Sequence, residues 1–172
     1  MLHRVQTRLI LTAVAIVGAA SFLMPFFSVS ALMAQRQPLI DYTGLELLTG
    51  TTFQQPLRTG DLPKPLAPVL VAWLVFVGVL VAGIASWVPG RYARALALGA
   101  ALIAALGGIL LFEVGEAAIA RTIPDHLVAY PLPAVWIPFA SAVVLLVCHS
   151  SSALAAKRKA LAEASAQSHL RN

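Results

Sequence analysis

The chain has 172 residues, of which 59% are hydrophobic and 11% are charged, and its mean hydropathy is +0.85. So few polar residues cannot cover the surface of a water-soluble domain, and the composition therefore excludes a soluble globular protein. The formal net charge is +5, but the positions of the charges along the chain account for it without a nucleic-acid partner.

Four apolar segments are each long enough to cross a bilayer, and they comprise residues 9–27, 68–88, 93–112 and 130–148. A helix rises about 1.5 Å per residue, so about 20 residues span a hydrocarbon core of about 30 Å. The first, second and fourth segments contain no Asp, Glu, Lys or Arg. The sequence therefore predicts an all-α integral membrane protein, in which residues 1–172 form one bundle of four transmembrane helices.

The basic residues are distributed unevenly between the two sides of the predicted bundle. Eight lie before the first span, at the turn between the second and third spans (with Arg94 in the first residues of the third), or after the fourth, and four lie in the other two connections. Lys and Arg near span ends are retained in the cytoplasm. We therefore expect both termini inside, residues 28–67 and 113–129 outside, and a basic cytoplasmic tail over residues 150–172. The alanine-rich spans favour a bacterial source and hence the cytoplasmic (inner) membrane.

The first span has an alternative interpretation as a cleavable signal peptide. Arg4 and Arg8 precede the apolar run, and the small residues at 29–31 or 32–34 could form a cleavage site. However, the run has about 19 residues, which exceeds the roughly 7–15 of a signal peptide. The Pro-Phe-Phe sequence at 25–27 also resembles an anchor at the membrane surface. A retained helix is therefore the favoured interpretation.

Small side chains recur every four residues in the second and third spans. This spacing places them on one face of a helix, where they let two backbones approach closely. Pro89 and Gly90 indicate a tight turn between the two spans, which makes the spans antiparallel neighbours. The small residues either close the bundle itself or form an interface with a second chain. This predicted helix-packing interface comprises Gly78, Ala82, Ser86, Ala97, Ala101, Ala105, Ala100, Ala104 and Gly108.

Prolines mark the start of the fourth span. Pro131 and Pro133 suit the first turn of a helix, where the backbone N–H groups are unpaired in any case. Pro138 lies deeper in the predicted span, so we expect it to kink the helix.

The first outer loop, residues 28–67, is longer than most connections and is predicted to be partly ordered. Residues 27–32 alternate as strand residues do, and residues 39–42 are expected to pair with them as a short hairpin. Residues 56–68 are rich in proline and are expected to be extended. Four passes with a strand-bearing first outer loop resemble the topology of claudin-like proteins. This loop has neither the Trp nor the Cys pair of that family, so the resemblance is to topology alone and implies no function.

A short helix is predicted within the same loop. Thr43 and Glu46 have the spacing of a capping box, and Gly50 is placed to end the helix. The loop either stabilises the bundle as a lid or presents a surface to a partner. The predicted outer-loop contact residues are Tyr42, Thr43, Leu45, Glu46 and Leu48.

The sequence offers few residues for catalysis. Cys148 is the only cysteine, which excludes an internal disulfide and a dithiol oxidoreductase. No Walker loop, dinucleotide-binding turn or HExxH motif is present. His3 and His149 are expected on the same side of the membrane, where two histidines could hold a haem between helices. We predict no catalytic residue, no cofactor and no metal site.

One polar cluster follows the third span. Glu113 and Glu116 lie one helical turn apart, and Arg121, Asp125 and His126 follow them. A carboxylate near the hydrocarbon boundary indicates a functional site by default, and two close carboxylates can bind a cation or share a proton. Alternatively, the helix simply projects from the membrane and Arg121 balances the two acids in solvent.

These observations favour a non-catalytic accessory or scaffold subunit that binds other membrane proteins, or a second copy of itself, through small-residue helix faces and the outer loop. The alternative is a small cation or proton transporter, or a channel component, that uses Glu113 and Glu116. A membrane-bound enzyme or haem-carrying subunit has the fewest residues in its favour. The expected surroundings are the lipid bilayer and a membrane-protein partner, without nucleic acid.

Overall fold

The structure is a computed structural model, and it describes residues 2–31, 38–51 and 66–169. Four of its helices are long and apolar enough to cross a membrane, and the remaining elements form a small cap at one end of them. The helices are α1 (Leu2–Ala20), α2 (Gly44–Thr49), α3 (Leu66–Ala85), α4 (Arg91–Thr122) and α5 (Trp136–His169), and the strands are β1 (Pro25–Ala31), β2 (Pro38–Thr43) and β3 (Leu127–Pro131).

Helix α4 packs against α3 and α5, α1 packs against the same two helices, and α3 and α5 also contact each other, so each of these two touches all three other long helices. Small residues form the closest contacts, since Gly78 of α3 lies against Ala100 and Ala104 of α4. Gly83 lies against Ala15 of α1 in the same way. Because lipid exerts no hydrophobic force between helices, such close approach provides the van der Waals contact that holds them together. The predicted pairing of the second and third spans is confirmed.

The cap is built around β1, the central strand of an antiparallel sheet with the order β2-β1-β3. Ser28 of β1 is aligned with Asp41 of β2 on one side and with Tyr130 of β3 on the other. The face of the sheet that carries Phe27 covers the end of the bundle, where the Phe27 ring lies against Gly115 of α4. The predicted hairpin is confirmed, and β3 adds a strand that the sequence did not indicate.

Helix α2 begins with the predicted capping box. The Thr43 backbone N–H donates to Glu46 Oε2 over 2.7 Å, and the Glu46 N–H donates to Thr43 Oγ1 over 3.2 Å. Gly50 ends the helix in the left-handed conformation, with φ of 70°, which glycine adopts without steric cost. Trp73 Nε1 of α3 donates to the Leu48 carbonyl over 2.9 Å and so fixes α2 to the bundle.

The first long helix ends earlier than the sequence predicts. Helix α1 stops at Ala20, a short 3-10 helix covers Ser21–Leu23, and the chain then enters β1. Phe26 and Phe27 are fully buried in the core of the cap, so the prediction of an anchor at the membrane surface is wrong. Proline at position 25 ends helical geometry, and hydropathy cannot distinguish a buried strand from the end of an apolar helix.

The fourth long helix begins later than the sequence predicts. Tyr130 and Pro131 belong to β3, a 3-10 turn covers Pro133–Val135, and α5 begins at Trp136. Pro138 therefore lies in the first turn of α5, where a residue has no intrahelical acceptor for its N–H group. Proline at this position breaks no hydrogen bond of the helix, so a kink at Pro138 is no longer expected.

Two sequence-based predictions fall wholly or partly outside the described residues. Most of the hairpin turn predicted at 35–38 and most of the proline-rich segment at 56–68 are not described, although Pro38 begins β2 and residues 66–68 begin α3 as a helix.

Candidate functional site

An open apolar groove runs along the bundle between α3 and α4, with a volume of about 460 Å³. Its α3 side chains recur at intervals of three or four residues, which places them on one face of the helix. The groove is lined by Leu70, Trp73, Leu74, Val77, Gly78, Val81, Ala100 and Ile103.

The floor of the groove is formed by Gly78 and Ala100. A Cβ atom added to Gly78 would lie 2.9 Å from the Ala100 carbonyl oxygen, so only glycine allows the two helices to meet here. The sides are more open, because Val77 is 44% and Ile103 is 50% exposed. The groove therefore combines a close-packed floor of small residues with exposed aliphatic sides.

One side of the groove is held in place by the cap. The Trp73 indole, bonded to Leu48, also meets the Phe76 ring edge-on at 6.0 Å between ring centroids. Because the indole N–H of Trp73 already donates to the Leu48 carbonyl, the ring presents only apolar surface to the groove.

Seven of the nine residues of the predicted helix-packing interface do not line the groove. Ser86 is half-buried, and its hydroxyl donates to the Gly83 carbonyl over 2.6 Å. The remaining six are buried between helices of this chain, and they are Ala82, Ala97, Ala101, Ala104, Ala105 and Gly108. Of the nine predicted residues, Gly78 and Ala100 are the two that line the groove. Contact of any of them with a second chain stays a prediction.

Glu113 and Glu116 lie in α4 beyond its apolar part, as the sequence predicts, but they differ in exposure. Glu113 is exposed and Glu116 is half-buried. Gly115, between them, faces the Phe27 ring of the cap, so this side of α4 is covered by the sheet. Asp125 and His126 are exposed in the turn that leads to β3.

Among the residues that the structure describes, the interior of the bundle offers no charged side chain that would continue a path from these acids. Among the described residues the buried polar side chains are four serines and one histidine, namely Ser21, Ser28, Ser30, Ser141 and His149. Within residues 2–31, 38–51 and 66–169, no group of three His, Cys, Asp or Glu side chains could hold a metal ion.

The predicted outer-loop surface divides into buried and accessible residues. Tyr42 and Leu48 are buried in the core of the cap, whereas Leu45 is 47% exposed. Thr43 and Glu46 are half-buried and are engaged in the capping box. Burial, and to a smaller extent the Glu46 carboxylate, raises the pKa of the Tyr42 phenol above its usual value, which keeps the buried ring neutral.

His149 is a buried polar residue whose contact the sequence did not predict. Its Nε2 lies 3.1 Å from the Ala82 carbonyl oxygen of α3, and because a carbonyl only accepts, Nε2 must carry the hydrogen. Ala82 carries one of the last four carbonyls of α3, which ends at Ala85, and these carbonyls lack intrahelical partners. Cys148, next to it, is half-buried. The side chain of His3 lies outside the described part of the structure.

The described residues therefore define a class of protein, namely a bundle of four helices long and apolar enough to span a membrane, with a cap of three strands and one short helix at one end. No protein-family model, no curated protein and no solved structure matches this chain.

Proposed function

We propose that this protein is a non-catalytic accessory or scaffold subunit that binds another membrane protein by a helix packed in the α3–α4 groove. The observation that carries the proposal is the groove itself, with Gly78 and Ala100 on its floor. Within a bilayer, helices associate where small residues let a partner approach closely. Gly78 and Ala100 are themselves buried against each other, so they keep the floor of the groove low, and a partner's side chains enter between its exposed aliphatic sides.

The spacing of the groove residues supports a helical partner. Leu70, Leu74, Val77 and Val81 follow intervals of four, three and four residues along α3, which is the pattern that packs side by side with a second helix. The partner supplies a ridge of aliphatic side chains, and it comes from a different membrane protein or from a second copy of this chain. The exposed part of the cap, including Leu45, adds a second contact surface outside the bilayer.

The distribution of basic residues supports an orientation with both termini in the cytoplasm. The cap and residues 113–129 then lie outside, and the tail from residue 150 lies inside. The alanine-rich spans support a place in the bacterial cytoplasmic membrane. The cap is therefore the part of the protein that meets partners on the outer side.

The first test is native purification in a mild detergent, with the mass of the intact particle measured. We expect a particle larger than one 18.1 kDa chain that contains a partner in fixed stoichiometry.

Val77→Trp and Ile103→Trp should fill the groove and weaken the association at least about tenfold, or about 1.4 kcal/mol. The particle should then fall to a single chain.

The matched control is Ile109→Trp, which adds the same bulk at an exposed position of α4 that does not line the groove. This variant should leave the particle mass unchanged. A wild-type protein that purifies as a single chain, or a partner that is equally lost in all three variants, would contradict the proposal.

The transport alternative is tested with Glu113→Gln and Glu116→Gln in proteoliposomes. Because Glu113 is exposed and the buried polar residues of the described chain are uncharged serines and a histidine, we expect the same cation and proton flux from both variants as from the wild type. A flux that the wild type shows and either glutamine variant loses would instead favour transport through this cluster.

A further inference from the structure

The end of the bundle opposite the cap carries a surface of basic side chains. Because α1 leads into the cap and α5 leaves it, the start of α1 and the later part of α5 lie at this opposite end. The turn between α3 and α4 lies there too, since α4 ends where the chain returns to β3. The basic residues with described side chains at this end are Arg8, Arg91, Arg94, Lys157 and Arg158. We call these five residues the basic end surface.

The acidic residues with described side chains are all placed towards the cap. They are Asp41, Glu46, Glu113, Glu116 and Asp125. Within residues 2–31, 38–51 and 66–169, no ion pair joins a residue of the basic end surface to any of them. The surface is therefore a concentration of positive charge that the described side chains do not neutralise, and it lies where the helices leave the hydrocarbon.

Arg8 has a defined position within this surface. Its guanidinium carbon lies 6.0 Å from the centroid of the Trp87 ring, which is within the range of a cation–π contact. Trp87 Nε1 donates to Thr12 Oγ1 over 2.7 Å, and Thr12 Oγ1 donates to the Arg8 carbonyl oxygen over 2.9 Å. These bonds tie the indole to α1. They hold the Arg8 guanidinium beside the ring, with its N–H donors unpaired in the part of the chain that the structure describes.

The aromatic residues of this end mark the level of the lipid headgroups. Trp87 is 43% and Tyr92 is 82% exposed, and α3 ends two residues before Trp87, at Ala85. Tryptophan and tyrosine concentrate at the boundary between hydrocarbon and water. The Arg91 guanidinium carbon lies 5.7 Å from the Tyr92 ring centroid, so a second arginine lies at this boundary. The anion that a bilayer supplies at this level is the phosphate of a lipid headgroup.

The chemistry of Arg8 matches that anion. A guanidinium presents planar N–H donors that engage two phosphate oxygens at once, while its flat side stacks on an aromatic ring. Basic pockets between transmembrane helices bind anionic headgroups in this way. Retention of basic residues on one side of a membrane explains how many lie at this end. It does not explain why Thr12 and Trp87 hold one of them over an indole.

We propose that the basic end surface binds the phosphate of an anionic phospholipid, with Arg8 and Trp87 as the principal contacts. The Arg8 guanidinium bonds to the phosphate, the Trp87 ring packs on the upper acyl carbons, and Arg91 adds positive charge at the same boundary. The inference goes beyond the proposed function. It depends neither on the partner of the α3–α4 groove nor on which side of the membrane this end lies.

The test uses the full chain, labelled with 5-fluorotryptophan, in phosphatidylcholine nanodiscs that contain a rising fraction of phosphatidylglycerol. The chain has three tryptophans, and Trp87→Phe assigns the signal of Trp87. Phosphatidylglycerol should shift the Trp87 ¹⁹F signal in a saturable way, whereas Trp73 and Trp136, which lie towards the cap, should not respond. Phosphatidylethanolamine carries a phosphate without net charge and should not shift it. An unresponsive Trp87, an equal response to both lipids, or a common shift of all three signals would overturn the inference.

Matched variants test the contribution of Arg8. Arg8→Gln should raise the phosphatidylglycerol fraction at half-saturation at least about fivefold, the contribution of one basic residue at an anionic surface. Arg121→Gln removes the same charge at the exposed end of α4 near the cap, and it should titrate as the wild type does. Unchanged Trp73 and Trp136 signals would show that Arg8→Gln is folded. Equal titration of Arg8→Gln and the wild type, or equal loss in both glutamine variants, would contradict the proposal.

Arg8→Lys separates the planar guanidinium from charge alone. Lysine keeps the positive charge but lacks the planar donors and stacks less well on the indole, so half-saturation should lie between the values for the wild type and Arg8→Gln. A lysine variant that titrates as the wild type does would show that Arg8 acts as a point charge, against the proposed contact with Trp87.

Soluble anions distinguish a lipid from other ligands of the same charge. In pure phosphatidylcholine nanodiscs, inorganic phosphate and a hexaglutamate peptide should leave the Trp87 signal unchanged, because neither brings acyl carbons to the indole. A saturable shift with inorganic phosphate would indicate a site for free phosphate. One with hexaglutamate would indicate an acidic protein partner, and either result would overturn the assignment to a lipid.

Discussion

Gly83→Val is expected to lower the free energy of unfolding by about 3 kcal/mol, because overpacking a close contact displaces side chains and backbone. A Cβ atom at position 83 would overlap the Cβ of Ala15 in α1. That neighbour has no flexible end to move aside, so α1 must shift away from α3. The shift would also open the contacts of Leu11, which is buried beside Ala15 in the core of the bundle.

The loss of stability is measured by the rate at which the single cysteine, Cys148, is labelled. Cys148 is half-buried against the core that Leu11 and Ala15 belong to, so a maleimide dye should react with it faster as the bundle opens. The rate is followed in detergent as temperature or SDS is raised. Gly99→Val is the matched control, since no described atom lies within 4 Å of a Cβ added there. Equal midpoints for both valine variants would refute this account of the α1–α3 contact.

His149→Ala is the second substitution with a large expected effect, a loss of about 2–3 kcal/mol. Carbonyls at the end of a helix need partners from outside the helix, and within a membrane protein water does not reliably supply them. Three of the last four carbonyls of α3 are bonded locally. The Gly83, Ile84 and Ala85 oxygens accept from the N–H groups of residues 86, 87 and 88, respectively.

The fourth carbonyl, that of Ala82, is bonded by His149 Nε2 from α5. Alanine at position 149 would leave it buried and unpaired, and would also leave a cavity. The same cysteine assay measures the loss. His149→Gln keeps an N–H donor and should recover part of the stability, whereas His149→Phe fills the volume without a donor and should not. A phenylalanine variant as stable as the wild type would show that volume alone matters at this position.

The local features of the fold could be predicted because their causes lie within a few residues of each other. The capping box needs only Thr43 and Glu46, three positions apart, and its geometry is as expected. The hairpin joins strands that are separated by a short connection. The four apolar spans follow from helix rise and bilayer thickness alone.

The features that sequence analysis missed depend on contacts between distant parts of the chain. Ser28 meets Tyr130 across a strand pair that closes a loop of about one hundred residues, and no local pattern marks Tyr130 as a strand residue. The burial of Phe26 and Phe27 follows from that same sheet. The role of His149 is equally ambiguous in sequence, because its side chain bonds to a carbonyl of α3, which is distant along the chain.

The sequence by itself determined that this is a membrane protein of four apolar helices, because hydropathy and length are properties of each segment alone. It also determined the short capped helix and the hairpin of the cap. Only the tertiary structure decided that most of the predicted small residues are buried between helices of this chain. It also decided that two of them, Gly78 and Ala100, form the floor of the groove between α3 and α4. It also decided that Ser28 lies between a carboxylate and an aromatic ring. Both outcomes depend on how helices and strands from different parts of the chain are oriented against each other, and residue spacing within one segment does not specify that orientation.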